Sequence, residues 1–501
     1  MKYTDLAKLL SNYGSRLWGM ISVFIFVPIY IKILGIENYA VIGFYTLLLG
    51  IISFADSGLS SAIIKEFSLN KTPSYKYSVF RRMELLYLSI CFLIVTIIFS
   101  AKGFISQHWL TSNSISLIDL KRYIALIGIG TTLQLLSSFY FGALFGLGEQ
   151  IRSNTLQIIW NVCRAGFVVI ILKYYSSSLD VYFIWQIICN IIYIFILRAQ
   201  SISFLKGLDN NIHNYLKKIP THILKYVGSM SLIAIISAVN TQADKIITSS
   251  LFSLKDFGYY NIASLISQVP VMFATPIVTF AFPFLSKFAN ENKEKFEIVS
   301  DKISILLSII VFPLVLVLIV FTKEILFLWN GKNIEPIMVN NLLYVIRILS
   351  SGTLFLALQL PLFYMLLSYS KTNYTIIQGV FQIVIGVPLL YYFSYKYGMT
   401  AVPYIWLIIN FGGWFYLLII VYQKLQFGNF KNYLIYCILL PGFISLLSFI
   451  LVDCVYINIG GFSIIYIASA GILSVLLCLI ILNKLCKRNT FNFTYYTQFP
   501  I

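Results

Sequence analysis

Six ionisable residues stand inside long apolar runs of the chain: Arg16, Asp56, Arg164, Asp244, Lys245 and Arg347. On insertion scales a charge at the centre of a spanning helix costs about 2.5–3.5 kcal/mol, so each must face other helices or water rather than lipid. Polar neighbours recur around them at helical spacing. Gln157, Asn161 and Arg164 lie at i, i+4 and i+7, on one helix face. Asn12, Ser15, Arg16 and Gly19 make a second stripe, and Ser237, Asn240, Thr241, Asp244 and Thr248 a third. Asn261, Ser264 and Gln268 form a fourth, and Gln134, Ser138 and Gly142 a fifth. Such stripes on many helices suggest a shared hydrated cavity. The competing reading is interhelical hydrogen bonding that holds a bundle together. The candidate cavity residues are therefore Asn12, Arg16, Gln157, Asn161, Arg164, Asn240, Gln268 and Arg347.

Asp56, Asp244 and Lys245 are candidates for ion coupling. Asp244 and Lys245 are adjacent, about 100° apart on a helix, and point to different neighbours. Either is an ion or proton site, or half of a structural ion pair. Asp56 lies toward the end of its span, where an N-cap or interface role competes with function. Arg347 lies early in its span, so a shallow position is open to it. Four basic residues against two acidic ones inside spans favour an anionic solute over a cationic one. A zinc site is not expected, because His108, His213 and His222 are dispersed. The seven Cys lie in or beside apolar runs without a CxxC pair and read as buried hydrophobes. No paired-carboxylate, Ser/His or His/Asp site stands out, and no cofactor is expected.

The elements that must position these residues are membrane spans. Of 501 residues, 59% are hydrophobic and 11% charged, too few charges to cover a soluble surface of this size. A ruler of about 20 apolar residues gives spans near 12–34, 40–64, 85–104, 123–147, 155–173, 180–198, 226–251, 259–286, 303–322, 339–368, 374–395, 402–422, 433–452 and 462–483. Span 339–368 is long and contains Pro361, so a tilt or kink is expected. The first run carries no cleavage signal, so entry through the first span is expected. With the N-terminus in the cytoplasm, Lys and Arg divide 23 to 9 between cytoplasmic and exoplasmic segments. That asymmetry places both ends in the cytoplasm and explains the +18 charge without nucleic acid.

The fold class is an all-α polytopic bundle of about fourteen spans. "LGIENYAVIGFY" at Leu34 and "LKDFGYYNIASL" at Leu254 lie 220 residues apart at corresponding places in the span order. They divide the chain into six-span lobes, 1–215 and 216–425, with two further spans and a tail in 426–501. Transporters are often built from such halves, with the solute site between them. The last two spans contain no ionised residue and read as packing or lipid-facing elements.

"SNYGSRLWG", "FADSGLSSAIIKEFS" and "NTQADKIITSSLFSLKDFGYYNIASLI" resemble the polysaccharide flippases of the Wzx type. These are relatives of the lipid II flippases and multidrug extruders. The resemblance implies a V-shaped pair of lobes and, in fourteen-helix members, an extra helix pair associated with a lipid-tail groove. It implies transfer of an undecaprenyl-diphosphate-linked oligosaccharide from the cytoplasmic to the outer leaflet of a bacterial inner membrane, for O-antigen or capsule. Expected partners are that lipid, membrane lipid, a polysaccharide polymerase and a chain-length regulator. Coupling to a proton or sodium gradient or to membrane potential is expected, and Arg16 matches a lumenal arginine of the lipid II flippases. Arg16, Arg164 and Arg347 would then bind the diphosphate through paired hydrogen bonds. The rival reading is a multidrug-type extruder of organic cations. A membrane polymerase or acyltransferase is disfavoured by the short loops.

Overall fold

The computed structural model describes residues 3–69, 71–112, 114–208, 219–330, 336–457 and 469–480, and these are almost entirely helical. Among them the strand-like pairing is a single bridge between Thr111 and Ser253. The first helices are α1 (Tyr3–Leu34), α2 (Ile36–Ser68), α3 (Pro73–Trp109), α4 (Leu117–Gly146), α5 (Gln150–Tyr174) and α6 (Leu179–Leu208). Next come α7 (Thr221–Leu251), α8 (Leu254–Ser267), α9 (Val269–Glu291), α10 (Lys293–Val320) and α11 (Thr322–Asn330). The chain continues through α12 (Pro336–Ser368), α13 (Asn373–Tyr397), α14 (Ala401–Lys424), α15 (430–457) and α16 (Ser469–Ile480).

Twelve described helices are long and apolar enough to cross a bilayer. α7 and α16 occupy the places of the two other expected spans. α7 is 31 residues long but carries Lys225, Asp244 and Lys245. The rest of the expected span 462–483 lies outside the described residues.

Local chemistry sets the ends. Pro73 opens α3 while the Thr72 hydroxyl accepts from the Tyr75 amide at 3.4 Å. The Ser116 hydroxyl accepts from the Asp119 amide at 3.2 Å, and Asn292 Oδ1 from the Lys295 amide at 3.0 Å. Each satisfies an amide that the first turn of a helix leaves open. The expected span 259–286 is two helices, α8 and α9, which part at Gln268. Pro270 lacks the amide hydrogen needed to continue the ladder and sits in the first turn of α9 instead. The expected long tenth span is one helix, α12, with Pro361 inside it.

By its contacts the chain forms two compact units, Met1–Asn261 and Ile262–Ile501. In the first, α2 packs against α4 and α7, α4 against α3 and α6, and α1 against α5. Its core is aromatic: Tyr87 and Phe139 centroids are 4.8 Å apart, and Phe80 and Phe139 centroids 5.3 Å. The outer face of α3 presents Phe92, Leu93 and Ile97, all exposed, as a lipid-contacting helix should. In the second unit α12 packs against α9, α10 and α14, and α10 against α15. Phe296, Leu307, Leu362, Met365 and Val421 lie at its centre.

Gly146 lets α4 meet α2 backbone to backbone. A Cβ there would lie 2.8 Å from the Ile64 carbonyl oxygen and 2.9 Å from its Cα. Gly146→Ala should therefore lower stability by about 1–3 kcal/mol. A thermal melt of the purified variant checks this, and an unchanged Tm contradicts the close approach.

Candidate functional site

The site is built in the first unit from the polar faces of α2, α4, α5 and α6. α5 is not a plain helix. Residues Val162–Phe167 form a π-helical turn, and Arg164 sits in its middle. Wider turns of this kind interrupt helices locally and are frequent at functional positions. Three consecutive carbonyls in it are held by side chains. Trp185 Nε1 donates to the Cys163 oxygen at 3.0 Å and Gln186 Nε2 to the Arg164 oxygen at 3.2 Å. Tyr30 Oη donates to the Ala165 oxygen at 2.8 Å. α6 and α1 thus clamp the turn from two sides.

The clamp positions the guanidinium. Arg164 Nη1 donates to Gln134 Oε1 at 3.0 Å, and Tyr45 Oη donates to the same oxygen at 3.4 Å. The guanidinium carbon stands 4.4 Å from the ring centroid of Trp160, one turn earlier. Arginine has five N–H donors, and the bond to Gln134 uses one of them. Among the described residues no carboxylate pairs with Arg164, which is half-buried. A cation held by an amide and an indole face keeps its positive field.

The two partners of Arg164, Gln134 and Trp160, also line a cavity of about 130 Å³ that opens to solvent. Asp56, Gln134, Ser138, Gln157, Trp160 and Tyr193 line it. Asp56 is buried well inside α2, which runs on to Ser68. It is therefore not a helix cap. Tyr87 Oη donates to its Oδ1 at 2.6 Å, and the Ser138 hydroxyl donates to its Oδ2. Hydroxyl donors, rather than a cation, hold this carboxylate.

The other candidates divide. Asn12 belongs to a bridge between α1 and α5: Asn154 Nδ2 donates to Asn12 Oδ1 and, at 2.9 Å, to Ser11 Oγ. Ser15 Oγ donates to Asn154 Oδ1 at 3.2 Å, which completes the bridge. Arg16 follows on α1, and its side chain lies outside the described residues. Asn161 immediately precedes the π-helical turn. Asn240 is half-buried on α7.

Asp244, also on α7, is buried. Its Oδ2 accepts from Tyr260 Oη at 2.8 Å, while its Oδ1 has no hydrogen-bond partner. Neither Asp244 nor Lys245 forms an ion pair among the described residues. In the second unit, Gln268 lies at the break before α9. There too, Arg347 Nε donates to the Ile319 carbonyl at 3.0 Å and lies 3.4 Å from Thr322 Oγ1, closing the end of α10.

The profile of the family described as "Polysaccharide biosynthesis protein" matches residues 30–339. A Shigella flexneri protein named as an O-antigen transporter is 22% identical over 379 residues, 74% of this chain and 87% of that one. The solved structure of the lipid II flippase MurJ in an inward closed conformation matches with a TM-score of 0.74 at 17% identity. That match covers 97% of this chain and 100% of the other. An inward-facing multidrug resistance transporter of the MATE family, in the MOP superfamily, gives 0.64 at 14% identity, over 83% and 96% of the two chains.

With twelve described helices long and apolar enough to cross a bilayer, the chain is a multi-pass membrane protein, and its fold is shared by a lipid flippase and a multidrug resistance transporter. It belongs to the polysaccharide biosynthesis protein family.

If the clamped turn sets Arg164, the double variant Trp185→Phe/Gln186→Leu removes two carbonyl partners at about 0.5–1.5 kcal/mol each. The expected result is a lower Tm together with weaker transport at matched expression. Unchanged values of both would show that the turn needs no side-chain support.

Proposed function

We infer that this protein flips an undecaprenyl-diphosphate-linked oligosaccharide from the cytoplasmic to the outer leaflet of a bacterial inner membrane, for O-antigen or capsule synthesis. The observation that carries this reading is Arg164, a guanidinium without a carboxylate partner among the described residues, held by Gln134 next to a cavity that Gln134, Gln157 and Ser138 help to line. A diphosphate is the ligand such a group suits, because planar N–H pairs match phosphate oxygens. The family and the fold it shares with a lipid flippase support the same substrate class.

The physical task explains the polar groups in the cavity. A sugar hydroxyl stripped of water without a partner costs about 2–7 kcal/mol. A repeat unit carrying about a dozen would face a barrier on the order of 30 kcal/mol or more. At 30 kcal/mol the unassisted event takes roughly decades. Amide and hydroxyl side chains such as Gln134, Gln157 and Ser138 replace water along the path.

In this reading the lobes 1–215 and 216–425 alternate access, and both termini are cytoplasmic, as the 23-to-9 division of basic residues favours. The last two spans serve the lipid tail. Arg16 and Arg347 are secondary diphosphate ligands. Asp56, Asp244 and Lys245 are the coupling candidates, the two carboxylates being buried and held by hydroxyl groups. The product would pass to a polysaccharide polymerase working with a chain-length regulator.

Deletion of the gene tests this. Lipid-linked repeat units should accumulate on the cytoplasmic leaflet while surface polysaccharide falls, and the wild-type gene should restore both. Normal surface polysaccharide in a host without a redundant flippase would sink the reading. Export of dye cations that depends on Asp56 or Asp244 would favour a multidrug extruder instead.

A further inference from the structure

The second unit contains a polar cluster that mirrors the Arg164 site but lacks the charge. α13 has the 25-residue length of α5 and a π-helical turn of its own, Gln382–Gly386. Gln378 and Gln382 form an i, i+4 amide pair on α13 like Gln157 and Asn161 on α5. Where Arg164 follows the pair on α5, α13 has no Arg or Lys after Gln382 until Lys396 in its last turn. On the preceding helices, Gln134 of α4 holds Arg164, and Gln359 of α12 holds Gln378. The amides recur between the halves while the cation does not.

The three glutamines converge on one point. Gln378 Nε2 donates to Gln359 Oε1 at 2.7 Å, and Gln359 Nε2 donates to the Asn410 carbonyl at 3.0 Å. Gln382 Nε2 donates to the Ile409 carbonyl at 3.4 Å. All three crowd the α carbon of Gly413. A Cβ there would lie 2.6 Å from the Nε2 atoms of both Gln378 and Gln382, and 2.9 Å from Gln359 Oε1.

Interhelical glue accounts for Gln359, which is 7% exposed and uses both ends of its amide. It does not account for the other two. Gln378 and Gln382 are half-buried and anchored through nitrogen, and their amide oxygens accept no bond among the described residues. Neither oxygen is among the sealed, unpartnered polar atoms, so both remain accessible.

We propose that Gln378 and Gln382, set on Gly413 and braced by Gln359, form an uncharged subsite for the carbohydrate part of the transported lipid. The inference rests on the flippase reading and assigns its two substrate parts to different chemistry. Sugar hydroxyls both donate and accept, and so do primary amides. A diphosphate needs cations, and this cluster offers none. Two anchored acceptor oxygens with spare N–H donors bind hydroxyl-rich, neutral groups and give a phosphate no advantage.

The test compares two probes on the purified full chain in nanodiscs. One is undecaprenyl diphosphate; the other is the same lipid bearing the oligosaccharide extracted from the producing cells. Gln378→Leu/Gln382→Leu keeps side-chain bulk and removes the hydrogen bonds. Its expected effect is a rise of about tenfold or more in Kd for the oligosaccharide-bearing lipid, as loss of two or three hydrogen bonds implies. The Kd for undecaprenyl diphosphate should change by less than about twofold. Equal loss for both lipids, or no loss for either, overturns the subsite. If the double leucine variant does not fold, Gly413→Ala, which displaces all three amides, must give the same selective loss. Wild-type protein that binds neither lipid contradicts the flippase reading itself, which is a different outcome from a subsite failure.

Discussion

The central constraint on this protein is a guanidinium held in an apolar helix bundle by neutral groups. A charge there is costly unless it faces polar partners or water. Arg164 meets the first condition through Gln134 and the Trp160 ring, both of which also line the cavity. The surroundings follow from the need to hold it still without cancelling its charge. A carboxylate partner would satisfy Arg164 and also leave it unavailable to an anion. An amide oxygen orients it and leaves its field intact. The π-helical turn serves the same end, because Trp185, Gln186 and Tyr30 fix the backbone from which the side chain extends.

The acidic groups follow a related division. Some are paired with cations: Glu84 with Arg81 at 2.6 Å and Arg198 at 2.7 Å, and Arg122 with Asp119 and Asp180. Asp56 and Asp244 are instead held by tyrosine and serine hydroxyls. The ion pair of Glu84 with Arg198 ties α3 to α6, and that of Arg122 with Asp180 ties α4 to α6.

Much of this was legible in the sequence because bilayer physics is written in composition. Apolar runs of about 20 residues mark the helices, and the i, i+4, i+7 stripe of Gln157, Asn161 and Arg164 marks the polar face of α5. Trp160, four residues before Arg164, has the spacing that brings a ring and a guanidinium onto one helix face. Among 76 Phe and Tyr residues and seven Trp, that signal is hard to separate from membrane aromatics. What sequence could not show depends on neighbours distant in the chain. The π-helical turn requires donors from α6 and α1. The use of Asn12 as a bridge to α5 depends on Asn154, and the use of Arg347 to close α10 depends on where that helix ends. Pro270 was visible, but whether it bends or divides a span depends on how the chain packs around it.

The central claim is that Arg164 carries the anionic part of a lipid-linked sugar across the membrane. The most direct measurement is flipping by the purified protein in proteoliposomes, read as the fraction of undecaprenyl-diphosphate oligosaccharide accessible to a leaflet-restricted hydrolase over time. The account predicts that Arg164→Ala slows transfer by about tenfold or more, the loss expected for a charged hydrogen-bonded contact. Arg164→Lys should fall between, because lysine keeps the charge without the planar fork. Transfer by well-incorporated Arg164→Ala at the wild-type rate would contradict the account.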